Sequence, residues 1–600
     1  MGANGQSRNS EIGRWPLVAR VVPDVPSFSV DAGFRYRVPD HMSVEVGTVV
    51  RVPLGPRRVR GWVVDVTSED DSGLKDVRQV SGDRPIFNER LLVSSRWAAQ
   101  HYVAPLSTLL AKSGPPNLSR SLAVRDHDAL GDLTPGVLSE IAESVAQGRR
   151  PPLTAVISPQ QELGLDLVVA AGKSVLLVAP TSLEARRAAS NLAHFGSRVL
   201  LVDPDMSDRS VTNAWTRAQT EQGVVVVGTE RVAWWPVANL SLAVMLDDGR
   251  RGMKARQTPT VHVRELLLSR SKVERFTLAS VSRVPTTEML GAGARFVVSD
   301  RRAWGLVEIV DRTEEPPGGG VVTDRVRDAL RNVVEGGRRA FVFTHRRDFA
   351  SAFRCIRCRT LRLCRKCGSR ATNQSVCPRC ATELGPCLEC AGRQFEPLGA
   401  AVGRVVEELG RAVGAEHVGT DGQDRPITVG TERDLVGASQ LDLAVAVDAD
   451  GLVFGTNYRS REDALRLLAR VAGTVGDGPE RRTMIQTSQP NHPVLDALRR
   501  GDPSEFLREE LRERDRQGFP PVGELMVIEV GDAPQWAPQR VSEAVQPPAM
   551  ALGPIEAFER HRWLIQGPDL SGTRQALKAV VQEMRDAHAQ VRVDVDPLDL

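Results

Sequence analysis

Hydrophobic positions along the chain change period several times, and each change marks a boundary. From Leu17 to about Val80, β-branched runs such as Val49-Val50-Arg51-Val52 and Gly61-Trp62-Val63-Val64-Asp65-Val66 are separated by proline and glycine turns, which predicts a small barrel or sheet. Residues 88–110 carry helical spacing and stop at Gly114-Pro115-Pro116. Residues 117–150 are short, polar and partly helical, and end in the linker-like Gly148-Arg149-Arg150-Pro151-Pro152. From Leu153, strand-sized apolar runs at 174–179, 198–202, 224–227, 240–246 and 276–278 alternate with amphipathic stretches, as βαβ units around a parallel sheet do. A second such series has strands at 340–343, 426–429, 443–447 and 483–486, and after about Gly501 a helical stretch leads into a mixed α+β tail.

The pattern divides the chain into a flexible tail (1–16), a β-rich N-terminal domain (17–116), a short segment (117–150), a first α/β lobe (151–300), a second lobe (301–354 and 396–500) with an insertion (355–395), and a C-terminal domain (501–600). The fold class is therefore α/β multidomain, and at roughly 100–200 residues per domain the 600 residues exclude a single small binding module. With 41% hydrophobic and 26% charged residues the composition is that of a globular protein. The net charge of +3 does not announce a nucleic-acid binder, yet only seven of the 78 basic residues are lysine and 71 are arginine, a planar phosphate-binding group. Residues 1–20 lack an apolar leader, and no run approaches the roughly 18 apolar residues of a membrane helix, so the expectation is a cytoplasmic chain without membrane contact.

Cysteine adds the chemistry. All eight lie between Cys355 and Cys390, as the CxxC pairs Cys355/Cys358, Cys364/Cys367, Cys377/Cys380 and Cys387/Cys390. Two intervening residues let both thiolates face one metal, and a closed tetrahedral site of four cysteines is structural, so the chain is expected to hold two Zn2+ ions. Arg354, Arg357, Arg359, Arg362, Arg365, Lys366, Arg370 and Arg379 offset the thiolate charge. Spacing leaves the pairing open; one solution nests the inner two pairs inside the outer two.

Two parallel-sheet units, the second interrupted by eight cysteines, resemble the superfamily 2 DNA helicases of the primosomal protein N′ (PriA) type. The resemblance rests on Phe34-Arg35-Tyr36-Arg37-Val38-Pro39 and Val50–Gly55 at the N-terminus, and on Val226-Val227-Gly228-Thr229-Glu230-Arg231 and 240–248 in the first lobe. It continues with Val429-Gly430-Thr431-Glu432, Asp448-Ala449-Asp450, Tyr458-Arg459-Ser460 and Val471-Ala472-Gly473 in the second lobe, then Gly518-Phe519-Pro520-Pro521, Leu552-Gly553-Pro554 and Val593-Asp594-Val595-Asp596-Pro597. It implies an N-terminal domain that grips a 3′ DNA end, two RecA-like lobes, and a zinc module with the nested pairing: Cys355, Cys358, Cys387 and Cys390 on one ion, Cys364, Cys367, Cys377 and Cys380 on the other. It also implies forked or single-stranded DNA, single-strand DNA-binding protein, other primosome components and the replicative helicase as partners, in a monomeric, nucleoid-associated protein.

The departures bear on activity. A P-loop needs GxxxxGK[ST] after a strand. The only GK[ST] is Gly172-Lys173-Ser174, with Leu167 in the first glycine's place, and it stands after an expected helix (160–171) and before a strand. The expected P-loop position reads Ser158-Pro159-Gln160-Gln161. The family's DEEH box reads Asp247-Asp248-Gly249-Arg250, and its VAGRAGR motif reads Val471-Ala472-Gly473-Thr474-Val475-Gly476-Asp477 after Arg470. With P-loop, base and arginines gone, no catalytic residue is assigned, ATP and Mg2+ lose their machinery, and Asp247 and Asp248 remain as a degenerate nucleotide site. In the DNA-end pocket, Arg35 follows Phe34 where the family has an acid, with Gly55 and Lys75 at other pocket positions and a basic patch of Arg51, Arg57, Arg58 and Arg60 beside it. The winged-helix region shrinks to 117–150. Trp563 and Trp234-Trp235-Pro236 are expected in cores. The leading expectation is a replication restart protein that recognises stalled or branched forks, promotes primosome assembly and reloads the replicative helicase without ATP-driven unwinding. The alternatives are an active ATP-dependent 3′→5′ helicase with an atypical nucleotide site, and a zinc-stabilised interaction scaffold.

Overall fold

The computed structural model describes residues 16–118, 134–159, 162–299, 302–315, 320–345, 352–358, 360–371, 375–377, 380–398, 402–420, 422–455, 457–557 and 560–600. Residues 1–15 of the expected tail, 119–133 of the shortened winged-helix segment, and Gln160, Gln161, Arg359 and Arg379 lie outside the described residues.

The N-terminal strands β1 (Leu17–Pro23), β2 (Phe34–Arg37), β3 (Val49–Leu54), β4 (Arg57–Ser68) and β5 (Gln79–Ser81) form one antiparallel sheet in the order β2-β1-β4-β3-β5. Alternation gives it two apolar faces. Ala19, Val21, Tyr36, Val50, Val52 and Val63 pack together on one face. Val22, Val49, Trp62 and Val64 join a larger core on the other. The expected helix at 88–110 divides in two. Asn88 caps Glu89–His101 by accepting from the Leu91 amide at 2.9 Å. The chain then breaks at Val103 (φ +47°) ahead of Pro105 and resumes as Leu106–Leu110.

The first lobe is a parallel sheet of β6 (Thr154–Ile157), β7 (Ser174–Val178), β8 (Val199–Leu201), β9 (Val225–Gly228), β10 (Leu240–Leu246), β11 (Thr277–Ser282) and β12 (Arg295–Val298), in the order β12-β6-β11-β10-β7-β9-β8. Its central strands are buried on both faces, which is why they read as continuous apolar runs. Of the helix expected at 160–171, Asp166–Ala170 forms, and Gly164 at φ +69° keeps the described backbone just before it out of helical geometry; Gln160 and Gln161 lie outside the described residues. Leu138, Ala142 and Val145, in the segment expected to link domains, pack into this lobe's core instead. Trp234 and Trp235 are buried in the core on the other face, continuous with Phe87, Trp62 and Trp563.

The second lobe begins with β13 (Leu306–Asp311), a strand the sequence pattern did not single out, and β14 (Ala340–Phe343). The hairpin β15 (Ala352–Cys355) and β16 (Phe395–Leu398) closes the cysteine insertion at its base. The sheet is completed by β17 (Val418–Gly419), β18 (Ile427–Gly430), β19 (Leu443–Ala446) and β20 (Arg482–Thr487), in the order β13-β20-β19-β14-β18-β17. The C-terminal domain is an antiparallel sheet of β21 (Glu524–Gly531), β22 (Met550–Ala557), β23 (Arg560–Gly567) and β24 (Gln590–Val595), covered by the helices Ala537–Ala544 and Ser571–Asp586.

A buried charge network joins the lobes and the C-terminal domain. Glu288 of lobe 1 accepts from Arg459 of lobe 2 and from Arg514 of the helix Ser504–Arg516 at 3.3 Å. Glu462 of lobe 2 accepts from Arg514 at 2.7 Å, from Arg466, and from the Thr287 hydroxyl of lobe 1 at 2.7 Å. Arg264 lies 3.8 Å from Glu288 and 3.7 Å from Asp248. The Tyr458 ring packs under Arg459 and Arg514 and stacks on Phe519 at 5.1 Å. Burial alone pushes the Glu462 carboxyl up, but Arg514 and Arg466 more than offset it and hold it down at about 2; Glu288 is held down in the same way by Arg459, Arg264 and Arg514. Removing one partner strands the others in the interior. Glu462→Gln is expected to cost about 3–5 kcal/mol in urea denaturation. Because both folded-state values lie below the ordinary carboxylate value of 4.5, their stabilisation is complete above that pH and is lost as pH falls from about 4.5 towards 2. An acid titration of the Glu462→Gln variant followed by circular dichroism should lose the part of that fall that belongs to Glu462.

Candidate functional site

Three places carry chemistry: the N-terminal sheet, the cysteine insertion and the cleft between the lobes. On the sheet, β2 is an edge strand whose alternation turns Tyr36 inward, where its hydroxyl donates to the Pro53 carbonyl at 3.0 Å. That bond holds β2 against the end of β3, beside the turn where Gly55 adopts φ +57°. The Arg37 amide donates to the Lys75 carbonyl at 3.0 Å, which places Lys75 beside one end of β2, while Phe34 is exposed at the other end. Arg35, one position from Tyr36, faces away and makes an exposed pair with Glu69 at 3.4 Å, an interaction weak enough to exchange for a phosphate. Arg57 and Arg58 are exposed at the same turn, and Arg51 and Arg60 face each other across β3 and β4. Arg58 donates to Gln79 at 2.9 Å.

The cysteines gather in the nested arrangement. Cys355, Cys358, Cys387 and Cys390 form one group and Cys364, Cys367, Cys377 and Cys380 the other, each with its four sulfurs within 4.8 Å of one another. The close cross-pairs are Cys355–Cys390 at 3.5 Å, Cys358–Cys387 at 3.4 Å, Cys364–Cys380 at 3.5 Å and Cys367–Cys377 at 3.6 Å. Sulfurs about 2.3 Å from a tetrahedral ion stand about 3.8 Å apart, whereas a disulfide needs about 2.05 Å, so each group fits a metal ion and not a crosslink. Tight turns present the thiols: the Gly368 amide donates to the Cys364 carbonyl at 2.8 Å, and Ala381 and Ala391, both at φ +55°, donate to the Cys377 and Cys387 carbonyls at 3.0 Å. The Thr360 hydroxyl, and then its amide, hold the Cys358 thiol down at about 6, which favours the ligating thiolate. Arg362 donates to the Leu384 and Gly385 carbonyls at 2.9 Å and lies 4.0 Å over the Phe395 ring. Arg370 donates to the Phe454 carbonyl and Ile555 packs on the inner cysteine group, so the module is seated on lobe 2 and the C-terminal domain.

The cleft lies at the C-terminal ends of β6, β10 and β11, the edge where parallel α/β sheets hold ligands. Lys173 is no phosphate ligand here: it precedes β7 and donates to the Val145 carbonyl. Asp247 and Asp248 have parted company. Asp248 is fully buried and accepts from Ser280 at 2.9 Å, from Thr286, and from Ser282 at 3.4 Å, which ties β11 to the following helix. Asp247, at φ +51°, faces the cleft with its Oδ1 buried and without a hydrogen-bond partner. Gly249 leaves space that the Arg466 guanidinium fills; a Cβ there would collide with the Arg466 Cζ. Arg250 pairs with Glu184 at 2.8 Å and reaches Glu432 of lobe 2 at 3.3 Å, where Arg470 also binds at 2.6 Å. Arg283 of lobe 1 donates to the Gly473 carbonyl of lobe 2 at 3.4 Å. The altered DEEH-box positions are thus filled by contacts between the lobes, whereas Thr474 and Asp477, altered in the second motif, line the cleft, and the Thr474 hydroxyl donates to the Val471 carbonyl of its own lobe at 2.7 Å. Sequence reasoning missed Arg466 and Arg283, whose partners lie in distant segments and leave no local signal, and saw Glu432 only as part of a family motif. Trp563 is fully buried, as a core residue.

The family model for the PriA 3'DNA-binding domain (3'BD) matches residues 20–115. A replication restart protein PriA of Treponema pallidum is 24% identical across 97% of this chain and 99% of its own length. Those of Synechocystis sp. and Bacillus subtilis are 25% and 22% identical across 72% of this chain, which spans 59% and 61% of their lengths. Among solved structures, the DExH-box NTPase HrpB of E. coli aligns over 63% of this chain and 48% of its own, with 14% identity and a TM-score of 0.33. With a matching DNA-binding domain at one end and an alignment that runs to the other, the chain is similar along its length to the replication restart proteins PriA.

Proposed function

We propose that this protein is a replication restart factor that binds stalled or branched forks through its N-terminal sheet, promotes primosome assembly and reloading of the replicative helicase, and does so without ATP-driven unwinding. The observation that carries the last part is the filling of the altered DEEH-box positions by lobe–lobe contacts, Arg466 against Gly249 and Arg250 on Glu432, with Arg283 on Gly473 as a further tie between the lobes. A helicase lobe must move against its neighbour in each cycle, and here that movement would pull apart the buried charge network around Glu288 and Glu462. The two four-cysteine groups hold Zn2+ in this reading, and the zinc module, anchored by Arg370 and Ile555, offers the docking face for single-strand DNA-binding protein and primosome components. The protein acts as a monomer at the nucleoid in the cytoplasm.

One observation favours the active-helicase reading: the unpartnered Oδ1 of Asp247 in the cleft, a place for Mg2+. Hydrolysis assays decide between the two. Fork DNA is expected to leave ATP turnover at background while the fork itself binds in the absence of nucleotide; DNA-stimulated turnover that Asp247→Asn abolishes would establish the helicase. Affinity should fall steeply with salt, and Arg57→Ala with Arg58→Ala should reduce the slope of log K against log[salt] by about 2, with no binding even at low salt leaving only the scaffold. Metal analysis is expected to find two equivalents of zinc per chain. Cys355→Ser with Cys390→Ser should remove one equivalent and leave the other, which a pairing of sequence neighbours would not allow.

A further inference from the structure

A second groove, of about 420 Å³, opens where lobe 1, lobe 2 and the cysteine module meet; of its lining residues only Arg470 is shared with the cleft beside Asp247. The end of β24 and the residues after it lead into this groove. As far as Pro597 that chain is firmly held. Lys254 of lobe 1, itself buried, pairs with Asp594 at 2.6 Å and donates to the carbonyls of Val595 at 2.7 Å and Asp596 at 2.6 Å. The Asp596 carboxylate lies 3.4 Å from His101 of the N-terminal domain, and the Tyr458 hydroxyl of lobe 2 donates to the carbonyl of the buried Pro597 at 3.3 Å. Beyond Pro597 the hold is slight. The Leu598 carbonyl accepts from the Asn457 side chain at 2.5 Å, and Asp599 accepts from Arg251 at 2.6 Å. The side chains of that ion pair are 65% and 62% exposed, and a pair so open to water holds weakly.

The cations that line the groove are unequally neutralised. Arg250 and Arg470 share Glu432, and Arg466 has Glu462 and Asp463. Arg251 pairs with Asp599 alone among the described residues. Arg370 of the cysteine module has no carboxylate partner among the described residues; it donates to the Phe454 carbonyl at 2.5 Å. With Asp599 lifted away, two guanidiniums from different parts of the molecule would face one groove with their charge uncompensated.

We propose that Leu598 and Asp599 form a displaceable strap that closes this groove to single-stranded DNA, with the Asp599 carboxylate standing where a backbone phosphate binds Arg251. A guanidinium accepts carboxylate and phosphate oxygens with the same two-pronged geometry, so the two anions compete for one place. A strand carries phosphates in series and reaches Arg370 as well as Arg251, which a lone carboxylate does not. Because the chain up to Pro597 stays on Lys254 and Tyr458, opening the strap leaves the lobes where they are. The proposal rests on the DNA-binding reading only for the identity of the anion, and it does not depend on the N-terminal sheet.

Fluorescence anisotropy of a labelled dT oligonucleotide, titrated with the zinc-loaded full-length protein and with its Asp599→Ala variant, tests the strap. Removing the competing carboxylate should tighten binding about threefold or more. Adding Arg251→Ala to Asp599→Ala should cancel that gain, which a merely structural change at position 599 would not explain. The gain should persist when Arg57→Ala and Arg58→Ala are added on the N-terminal sheet, so a failure of the sheet to read forks and a failure of the strap give different results. Polyglutamate, in a second arm, should show a smaller gain than DNA. Unchanged or weaker DNA binding by Asp599→Ala, a gain that survives Arg251→Ala, a gain that disappears with the Arg57 and Arg58 changes, or a gain for polyglutamate as large as that for DNA would overturn the proposal.

Discussion

Four buried guanidiniums, of Arg264, Arg459, Arg466 and Arg514, set against Glu288 and Glu462 at their centre, are the constraint on which the rest of this molecule depends. Charges taken out of water are costly, and their mutual attraction repays the cost only when every partner is in place. The network is therefore better read as a specification of geometry than as a reservoir of stability. It draws from lobe 1, lobe 2 and the helix leading into the C-terminal domain, so those three parts share one arrangement in which all the charges are satisfied. A displaced lobe would leave at least one carboxylate or guanidinium buried alone.

The cleft shows how that arrangement fits a chain without the family's nucleotide motifs. Where the DEEH box would place a glutamate, Gly249 admits Arg466; where it would place a histidine, Arg250 reaches across to Glu432. Both of these substitutions create a lobe–lobe contact in place of a family motif side chain. The functional surfaces hang on this fixed frame. The N-terminal sheet is tied to it through the continuous core that holds Trp62, Phe87, Trp215 and Trp563, and the cysteine module through Arg370 and Ile555. A rigid frame presenting a basic sheet and a metal module at set positions suits recognition of a branched DNA by shape.

The sequence was most legible where signals are local. β-branched runs between turns placed the N-terminal sheet and most strands of both lobes, and CxxC spacing marked the four cysteine pairs, whose nested grouping the family resemblance implied. Local signals also misled. The stretch 160–171 suggested a helix, but among its described residues Gly164, at φ +69°, leaves only Asp166–Ala170 helical. The 88–110 helix broke at Val103 and Pro105, and 117–150, polar enough to read as linker, buries Leu138, Ala142 and Val145 in its described part. The charge network was invisible for a different reason. Glu462 and Arg466 are one helical turn apart and could be read as an ordinary surface pair; only the fold brings Glu288 and Arg514 to them. Likewise, the altered DEEH box can be read from residues, but the Arg466 guanidinium that occupies the space beside Gly249 cannot.

The distance between the lobes tests this most directly. Fluorophores carried by non-natural amino acids at the exposed positions Arg209 in lobe 1 and Arg411 in lobe 2 would report it in single molecules without touching the cysteines. One narrow distance distribution is predicted, unchanged by ATP with Mg2+ and by fork DNA, and broadening only when Glu462→Gln breaks the network. A second population that appears with nucleotide in the unmodified protein would contradict a locked frame.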